Sequence, residues 1–382
     1  MKKELELYLH IPFCVSKCRY CDFLSAPSGE EQRQIYVERL CRRIRYWSDV
    51  IHNYGYVIVS IFVGGGTPSI LTEEQITQVF EAVRESFPIR EDAEITLEMN
   101  PGTDVKDKLP VYRKLGINRL SMGLQSADNE ELKCLGRIHT YEDFRQVYQW
   151  AREAGFTNIN VDLMSAIPGQ TLESYEDTLR KVADLKPEHI SAYSLIIEEG
   201  TPFYERYGEG RHAEELPDED TERQMYVRTR EILADYGYHR YEISNYAKDG
   251  YECRHNLGYW DRKEYLGLGA GASSLMDHIR WKEPDYIGSS TGLVLEERED
   301  FTRLRRKDEM EEFMFLGLRK INGVSEDDFY KSFRVSMDEV YEDSIENLIK
   351  EGLLVREEDR IRLTDRGTDL SNYALSQFLL DE

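Results

Sequence analysis

Cys14, Cys18 and Cys21 form a C-x3-C-x2-C run directly after Tyr8-Leu-His-Ile-Pro-Phe13. Three thiolates this close together can converge on one metal centre, one ligand short of the four that close a structural zinc or iron–sulfur site. The set admits three readings. One is a zinc knuckle completed by His10 or Asp22. Another is three unrelated thiols. The third is a [4Fe–4S] cluster with one iron left open to a substrate or cofactor, since thiolates suit iron–sulfur clusters.

Other residues carry chemistry in the same half of the chain. Gly64-Gly65-Gly66-Thr67-Pro68 is either a tight turn or a place where backbone approaches a ligand and offers N–H groups to an anion. Glu98 and Asp162 are carboxylates that by default cap or salt-bridge at strand ends. Arg137, in Leu135-Gly-Arg-Ile-His139, is a surface cation or a fixed guanidinium that grips a carboxylate bidentately. Far downstream stands His255-Asn-Leu-Gly-Tyr259-Trp260. Histidine is a common axial ligand of heme iron and aromatic rings stack on porphyrins, although a histidine beside Tyr and Trp is often a packed core residue. Cys253, two residues before His255, is a second candidate for a heme-proximal group, and the region lacks the C-x-x-C-H signature of covalent heme attachment.

Six short β-like runs position these residues: Leu5 to Pro12, Val57 to Gly66, Glu94 to Pro101, Arg119 to Ser126, Asn158 to Pro168 and His189 to Ile197. Helix-period segments separate them. Thr72-Glu-Glu-Gln and Thr171-Leu-Glu-Ser read as helix starts, Asp104 as another cap, and Gly116 and Gly155 as helix ends. Alternation of this kind predicts a parallel α/β sheet, here a partial (β/α)6 barrel, whose chemistry belongs at the C-terminal strand ends. The cysteines, the glycine turn, Glu98 and Gln125 all fall at such ends, and Asp162 lies in the fifth run.

From about residue 200 the pattern changes. Residues 200–222 are acidic and turn-rich, and Leu266 to Ser274 is glycine-rich. Helices are expected near Glu309–Arg319, Ser325–Phe333 and Met337–Glu351, followed by a two-stranded ribbon, an order similar to a winged helix. The expected units are a core barrel over 1–240, the His255 segment and a connector over 241–300, and a mostly helical domain over 301–382. That last unit is too acidic for a DNA reader and is expected to pack as a lid over the barrel mouth.

The 382 residues suffice for two or three domains. A formal charge of −24 argues against nucleic acid or anionic lipid as partners. No run is apolar enough for a signal peptide or a transmembrane segment, and a cysteine cluster with scattered singletons does not look like a disulfide framework. A cytoplasmic location is expected.

The cysteine motif after a first strand resembles the radical S-adenosylmethionine (SAM) superfamily. The Tyr8–Cys14 run, Gly64–Pro68, Glu98-Met-Asn-Pro101, Ser121-Met-Gly-Leu-Gln125 and Asp162-Leu-Met-Ser-Ala-Ile-Pro-Gly-Gln-Thr171 are similar to its coproporphyrinogen dehydrogenase (HemN) group. The resemblance implies a [4Fe–4S] cluster on Cys14, Cys18 and Cys21. SAM would fill the open iron, to be cleaved to a 5′-deoxyadenosyl radical. It places Gly65, Gly66, Thr67 and Glu98 on SAM, and Gln125, Arg137 and Asp162 along the same cavity or on a second SAM. Tyr8 and Tyr20 match positions where aromatic rings pack on the cofactor. Two departures from the dehydrogenase stand out. Asp22-Phe23 follows Cys21 where that enzyme has a further cysteine, and the first strand begins by residue 5. Both features, with the His255–Trp260 motif, resemble the HemW branch of heme chaperones. That branch implies heme as cargo with His255 as a candidate ligand, a respiratory heme acceptor, and an electron donor such as flavodoxin or ferredoxin. The alternative is oxidative decarboxylation of coproporphyrinogen III.

Overall fold

The structure is a computed structural model that describes residues 2–287 and 297–380; residues 288–296, in the expected connector, lie outside the described residues. Six strands form the barrel: β1 (Lys3–Ile11), β2 (Tyr56–Gly65), β3 (Ile89–Met99), β4 (Arg119–Gln125), β5 (Ile159–Ser165) and β6 (His189–Ser194). Each pairs in parallel with the next. Helices fill the crossovers, as parallel connections require.

The period-2 alternation of these strands divides two environments. In β1, Leu5, Leu7, Leu9 and Ile11 belong to the main apolar core, which also contains helix residues such as Val37, Val79 and Phe80. Their neighbours Glu6 and His10 are buried as well, but polar. Ser60, Glu94, Arg119, Ser121, Asn160 and His189 continue the buried polar set on the following strands. They are tied by bonds such as Asn160 Nδ2 to Asp162 Oδ1 (2.7 Å) and to Ser121 Oγ (2.8 Å).

Thr72 and Thr171 form capping boxes with Gln75 and Ser174 at the starts of helices Glu73–Ser86 and Leu172–Asp184. Gly116 and Gly155, with φ of +78° and +87°, lie just past two helix ends. Asp104 does not cap its helix. The chain turns at Asn100–Thr103, and the helix begins at Lys108 after Asp107, whose side chain makes no cap bond.

The sheet is wider than the six runs suggested. Beyond β6 it continues antiparallel through β8 (Asn245–Ala247) to β7 (His239–Arg240). On the other edge β9 (Tyr265–Leu268) pairs in parallel with β1, and β10 (Ser273–Met276), β11 (Ile279–Lys282) and β12 (Glu299–Arg303) follow antiparallel. The glycine-rich stretch is therefore a seventh parallel strand and a tight return. A Cβ at Gly267 would come within 2.0 Å of Ser273 O, so the close pass of β9 and β10 demands glycine there.

The C-terminal part has its own apolar core, including Met314, Phe329, Tyr341, Ile345 and Phe378. Helices Arg306–Gly317, Glu326–Phe333 and Met337–Lys350 are followed by the ribbon Leu354–Glu357 and Arg360–Leu363, to which Val324–Ser325 adds a third strand. Its first helix meets the barrel through Arg262, which donates to Glu312 (3.2 Å) and Glu309 (3.3 Å).

Candidate functional site

The C-terminal strand ends open onto a cavity of about 490 Å3. Cys14, Cys18, Cys21 and Tyr20 line it from the loop after β1, and Gly65, Gly66 and Thr67 from the end of β2. Glu98, Gln125 and Asp162 reach it from β3, β4 and β5, and Arg137 from the segment following helix Asn129–Leu135. Eleven of the thirteen residues singled out from the sequence thus share one wall. Tyr8 lines an adjoining cavity that shares Phe23, Gly65 and Glu98 with this one.

The glycine turn works differently from the anion cradle its sequence suggested. Gly66 N–H donates to Ile11 O (2.9 Å), Thr67 N–H to Phe13 O (2.7 Å) and Gly65 N–H to Glu98 Oε2 (3.1 Å). These donors are already used within the protein. The glycines serve by lacking side chains: a Cβ on Gly66 would sit 2.6 Å from Phe13 O, and one on Gly65, at φ +115°, 2.6 Å from the His10 ring. The turn is held hard against the cysteine-bearing strand, and Thr67 Oγ1 donates to Cys14 Sγ at 3.4 Å.

The three thiols are free of disulfides and suit an iron–sulfur cluster. Zinc completed by His10 does not fit. Its Nδ1 is bonded to Tyr8 Oη (2.9 Å) and its Nε2 to Leu24 O (3.0 Å), so neither ring nitrogen is left for a metal. Arg137 Nη1 donates to Cys18 Sγ at 3.6 Å and Nη2 to Gly123 O at 2.6 Å. Donors of this kind around a thiolate stabilise its charge and tune whatever it binds.

The rest of the wall is polar and partly unsatisfied. Gln125 sits at φ +72°, rare for a side chain of its size, and its buried Oε1 meets no partner. Arg137 Nε is likewise buried without an acceptor. Buried polar atoms are normally paired, so these two are suited to a polar ligand. Burial, reinforced by the charge of Asp162 and opposed by the Gly65 N–H, pushes the Glu98 carboxyl up to about 8. Burial also raises Asp162, against bonds from Asn160 and Ser191. The pair is poised to ionise when a cation enters. Burial raises the Cys21 thiol and takes the Tyr20 phenol well above its ordinary range.

Tyr193 and Ser194, at the end of β6, also line the cavity and were not singled out from the sequence. The strand-end rule that found the other residues would have found them too, had it been applied to the sixth run.

His255 stands apart. It is 1% exposed, stacks on Phe62 at 5.2 Å, and lines neither cavity. Its Nδ1 lies 2.9 Å from Ser60 Oγ and its Nε2 3.0 Å from Tyr259 Oη, and burial pushes its pKa down to about 3. Cys253 is fully buried beside Glu94, with its thiol raised by burial to about 12. Both expected heme-proximal groups are therefore closed into the barrel interior. A sequence motif reports residue types but not this enclosure.

Residues 8–182 match the family model of the radical SAM superfamily, and residues 304–370 that of the HemN C-terminal domain. The chain is 36% identical to heme chaperone HemW of Lactococcus lactis, a match spanning 100% of this chain and 99% of that protein. It is 35% identical to heme chaperone HemW of Bacillus subtilis, over 97% and 98% of the two chains. The identity is again 35% to heme chaperone HemW of Escherichia coli, over 99% and 98%. In fold it is similar to coproporphyrinogen III oxidase (HemN) from Escherichia coli, at a TM-score of 0.84 and 23% identity, covering 99% of this chain and 90% of that one.

Proposed function

The chain belongs to the radical SAM superfamily and, within it, to the family of proteins named heme chaperone HemW; from that premise we propose that it binds heme, a [4Fe–4S] cluster and SAM, and hands the heme to an acceptor protein. The single observation that carries the proposal is the convergence of Cys14, Cys18 and Cys21 with the glycine turn and the strand-end polar groups on one cavity. Phe23 in place of a further cysteine turns the reading from porphyrin synthesis toward cargo handling.

Cys14, Cys18 and Cys21 would hold the cluster, whose remaining iron would be open to SAM. Bound there, the group would supply one-electron reductive chemistry toward the SAM sulfonium. The protein's own groups do the positioning. Gly65 and Gly66 let the turn pack hard against His10 and Phe13, and Thr67 fixes Cys14. Glu98 and Asp162 face the cationic end of SAM, where positive charge favours their ionised forms. Gln125 Oε1 and Arg137 Nε take polar groups that the protein leaves unmatched. Tyr20 and Tyr8 close the apolar sides, Tyr8 from the adjoining cavity.

The electron comes from a flavodoxin- or ferredoxin-type donor, and the acceptor is a respiratory heme protein. Among the described residues no helix is long and apolar enough to cross a membrane, so a membrane-bound acceptor would be met at the surface. The test is anaerobic reconstitution with iron and sulfide, followed by paired assays of hemin binding and 5′-deoxyadenosine release. The proposal expects cluster formation, SAM binding and stoichiometric hemin binding. Zinc as the sole metal, or turnover of coproporphyrinogen III, would refute it.

A further inference from the structure

A second cavity, of about 540 Å3, adjoins the first and shares Phe23, Gly65 and Glu98 with it. It lies where three parts of the chain meet: the end of helix Arg254–Trp260, the β9–β11 extension, and Leu316 on the first helix of the C-terminal part. Of its lining, the proposed SAM site uses only Tyr8, Gly65 and Glu98.

We infer that this second cavity is the seat of the tetrapyrrole cargo, with Arg262 and Arg280 receiving its carboxylates and Tyr259, Trp260 and Tyr265 flanking its ring. The inference rests on the proposed heme-binding function and deepens it by naming the site.

Four observations support it. The volume falls inside the ~300–1,000 Å3 range of sites that enclose a ligand of this size. The walls carry rings: Tyr259 and Tyr265 meet edge-to-face at 4.8 Å, and the Arg319 guanidinium lies 4.4 Å over the Trp260 ring. The buried Trp260 Nε1–H has no acceptor within the protein. Arg262 and Arg280 lie on the wall, their charges met by Glu309 and Glu312 but their N–H donors not all used. Arg262 uses Nε and Nη2 on Glu312 and Glu309, and Arg280 uses Nη1 on Glu312 at 2.7 Å. A guanidinium has five N–H donors, so carboxylates of a ligand can be taken alongside the glutamates. Glu309 and Glu312 belong to the C-terminal part, which links the occupancy of this seat to the packing of that unit.

The same geometry gives His255 a role. Its Nε2 holds Tyr259 Oη at 3.0 Å from behind, while Ser60 holds its Nδ1. His255 is thus a positioning residue that fixes the Tyr259 ring at the cavity wall, rather than a ligand exposed to the cargo.

The test is spectroscopic titration of the full chain with hemin and, in parallel, with hemin dimethyl ester, whose propionates are masked. Wild type is expected to bind hemin about tenfold or more tighter than the ester, as expected of charge-assisted pairs. The Arg262→Gln/Arg280→Gln variant should erase that preference. Because it also strands two glutamates, a second variant is needed. Ser273 is an exposed lining residue outside the ion-pair network, and Ser273→Trp fills the seat. It should weaken hemin about tenfold or more at an unchanged melting temperature, with SAM binding intact. Equal binding of hemin and ester by wild type, or wild-type hemin binding by Ser273→Trp, overturns the seat while leaving heme binding standing. Failure of wild type to bind hemin at all overturns the proposed function, and the seat with it.

Discussion

Arg137 ties the cysteine loop to the barrel: one arm of its guanidinium reaches Cys18 Sγ at 3.6 Å while the other holds Gly123 O on β4 at 2.6 Å. The planar fork makes both contacts from a single half-buried side chain. Lysine, with one rotating ammonium, cannot span them in the same way. Arg137→Lys should therefore bind SAM about tenfold more weakly and lose its cluster faster in air. Equilibrium dialysis of SAM and the decay of the cluster's visible absorbance give the two readings. Unchanged values in both would remove Arg137 from the site.

Each of the three cysteines is required if they hold one cluster. Cys14→Ala, Cys18→Ala and Cys21→Ala should each drop the reconstituted protein from about four irons and four sulfides per chain to near zero. Cys41→Ala, Cys134→Ala and Cys253→Ala should leave the content unchanged, since those sulfurs lie outside the cavity. Iron and acid-labile sulfide assays decide. Full content in any of the first three variants would break the assignment.

Glu98 predicts a pH dependence with a definite sign. Its folded carboxyl is raised from 4.5 to about 8 by burial, with Asp162 adding to the shift. Without ligand it is protonated at neutral pH. A bound cation favours the carboxylate, so SAM binding should release a proton. SAM affinity should then rise as pH increases toward 8 and level off above it. The empty protein should behave oppositely, losing stability as pH climbs through the 4.5–8 window, because the folded form there holds a proton that the unfolded chain has shed. Glu98→Gln should flatten its share of both trends. Calorimetric titration across pH checks the first and urea melts check the second. A SAM affinity independent of pH in wild type would count against the role given to Glu98.

His255→Ala removes a core ring bonded at both nitrogens and stacked on Phe62. The expected cost is about 2–4 kcal/mol of unfolding free energy, read from urea melts. The iron ligation of bound hemin should keep the wild-type Soret position, with weaker binding as Tyr259 loosens. Loss of imidazole ligation in the variant's spectrum would instead make His255 the ligand.

The strand-end groups were legible because alternating βαβ runs force every C-terminal strand end to one face, and the polar residues fell there. Two things were hidden. β9 reads as glycine-rich loop because Gly267 and Gly269 dilute its strand pattern, yet those glycines are what its close neighbours require. The enclosure of His255 depends on Ser60, Phe62 and Glu94, which stand 161 to 195 residues away in sequence. Local reading shows a histidine among rings. Only the assembled barrel shows that both of its ring nitrogens are already used. The glycine turn gives the same lesson at short range, because Phe13 and Ile11 take the N–H groups that Gly66 and Thr67 offered on paper.

Heme delivery is the central claim, and transfer is its most direct measurement. Anaerobically reconstituted protein is loaded with one hemin and mixed with membranes carrying a heme-depleted respiratory enzyme. Recovery of that enzyme's activity is then followed against an equal dose of free hemin. The account predicts faster recovery from the loaded protein. Recovery no faster than with free hemin would contradict it.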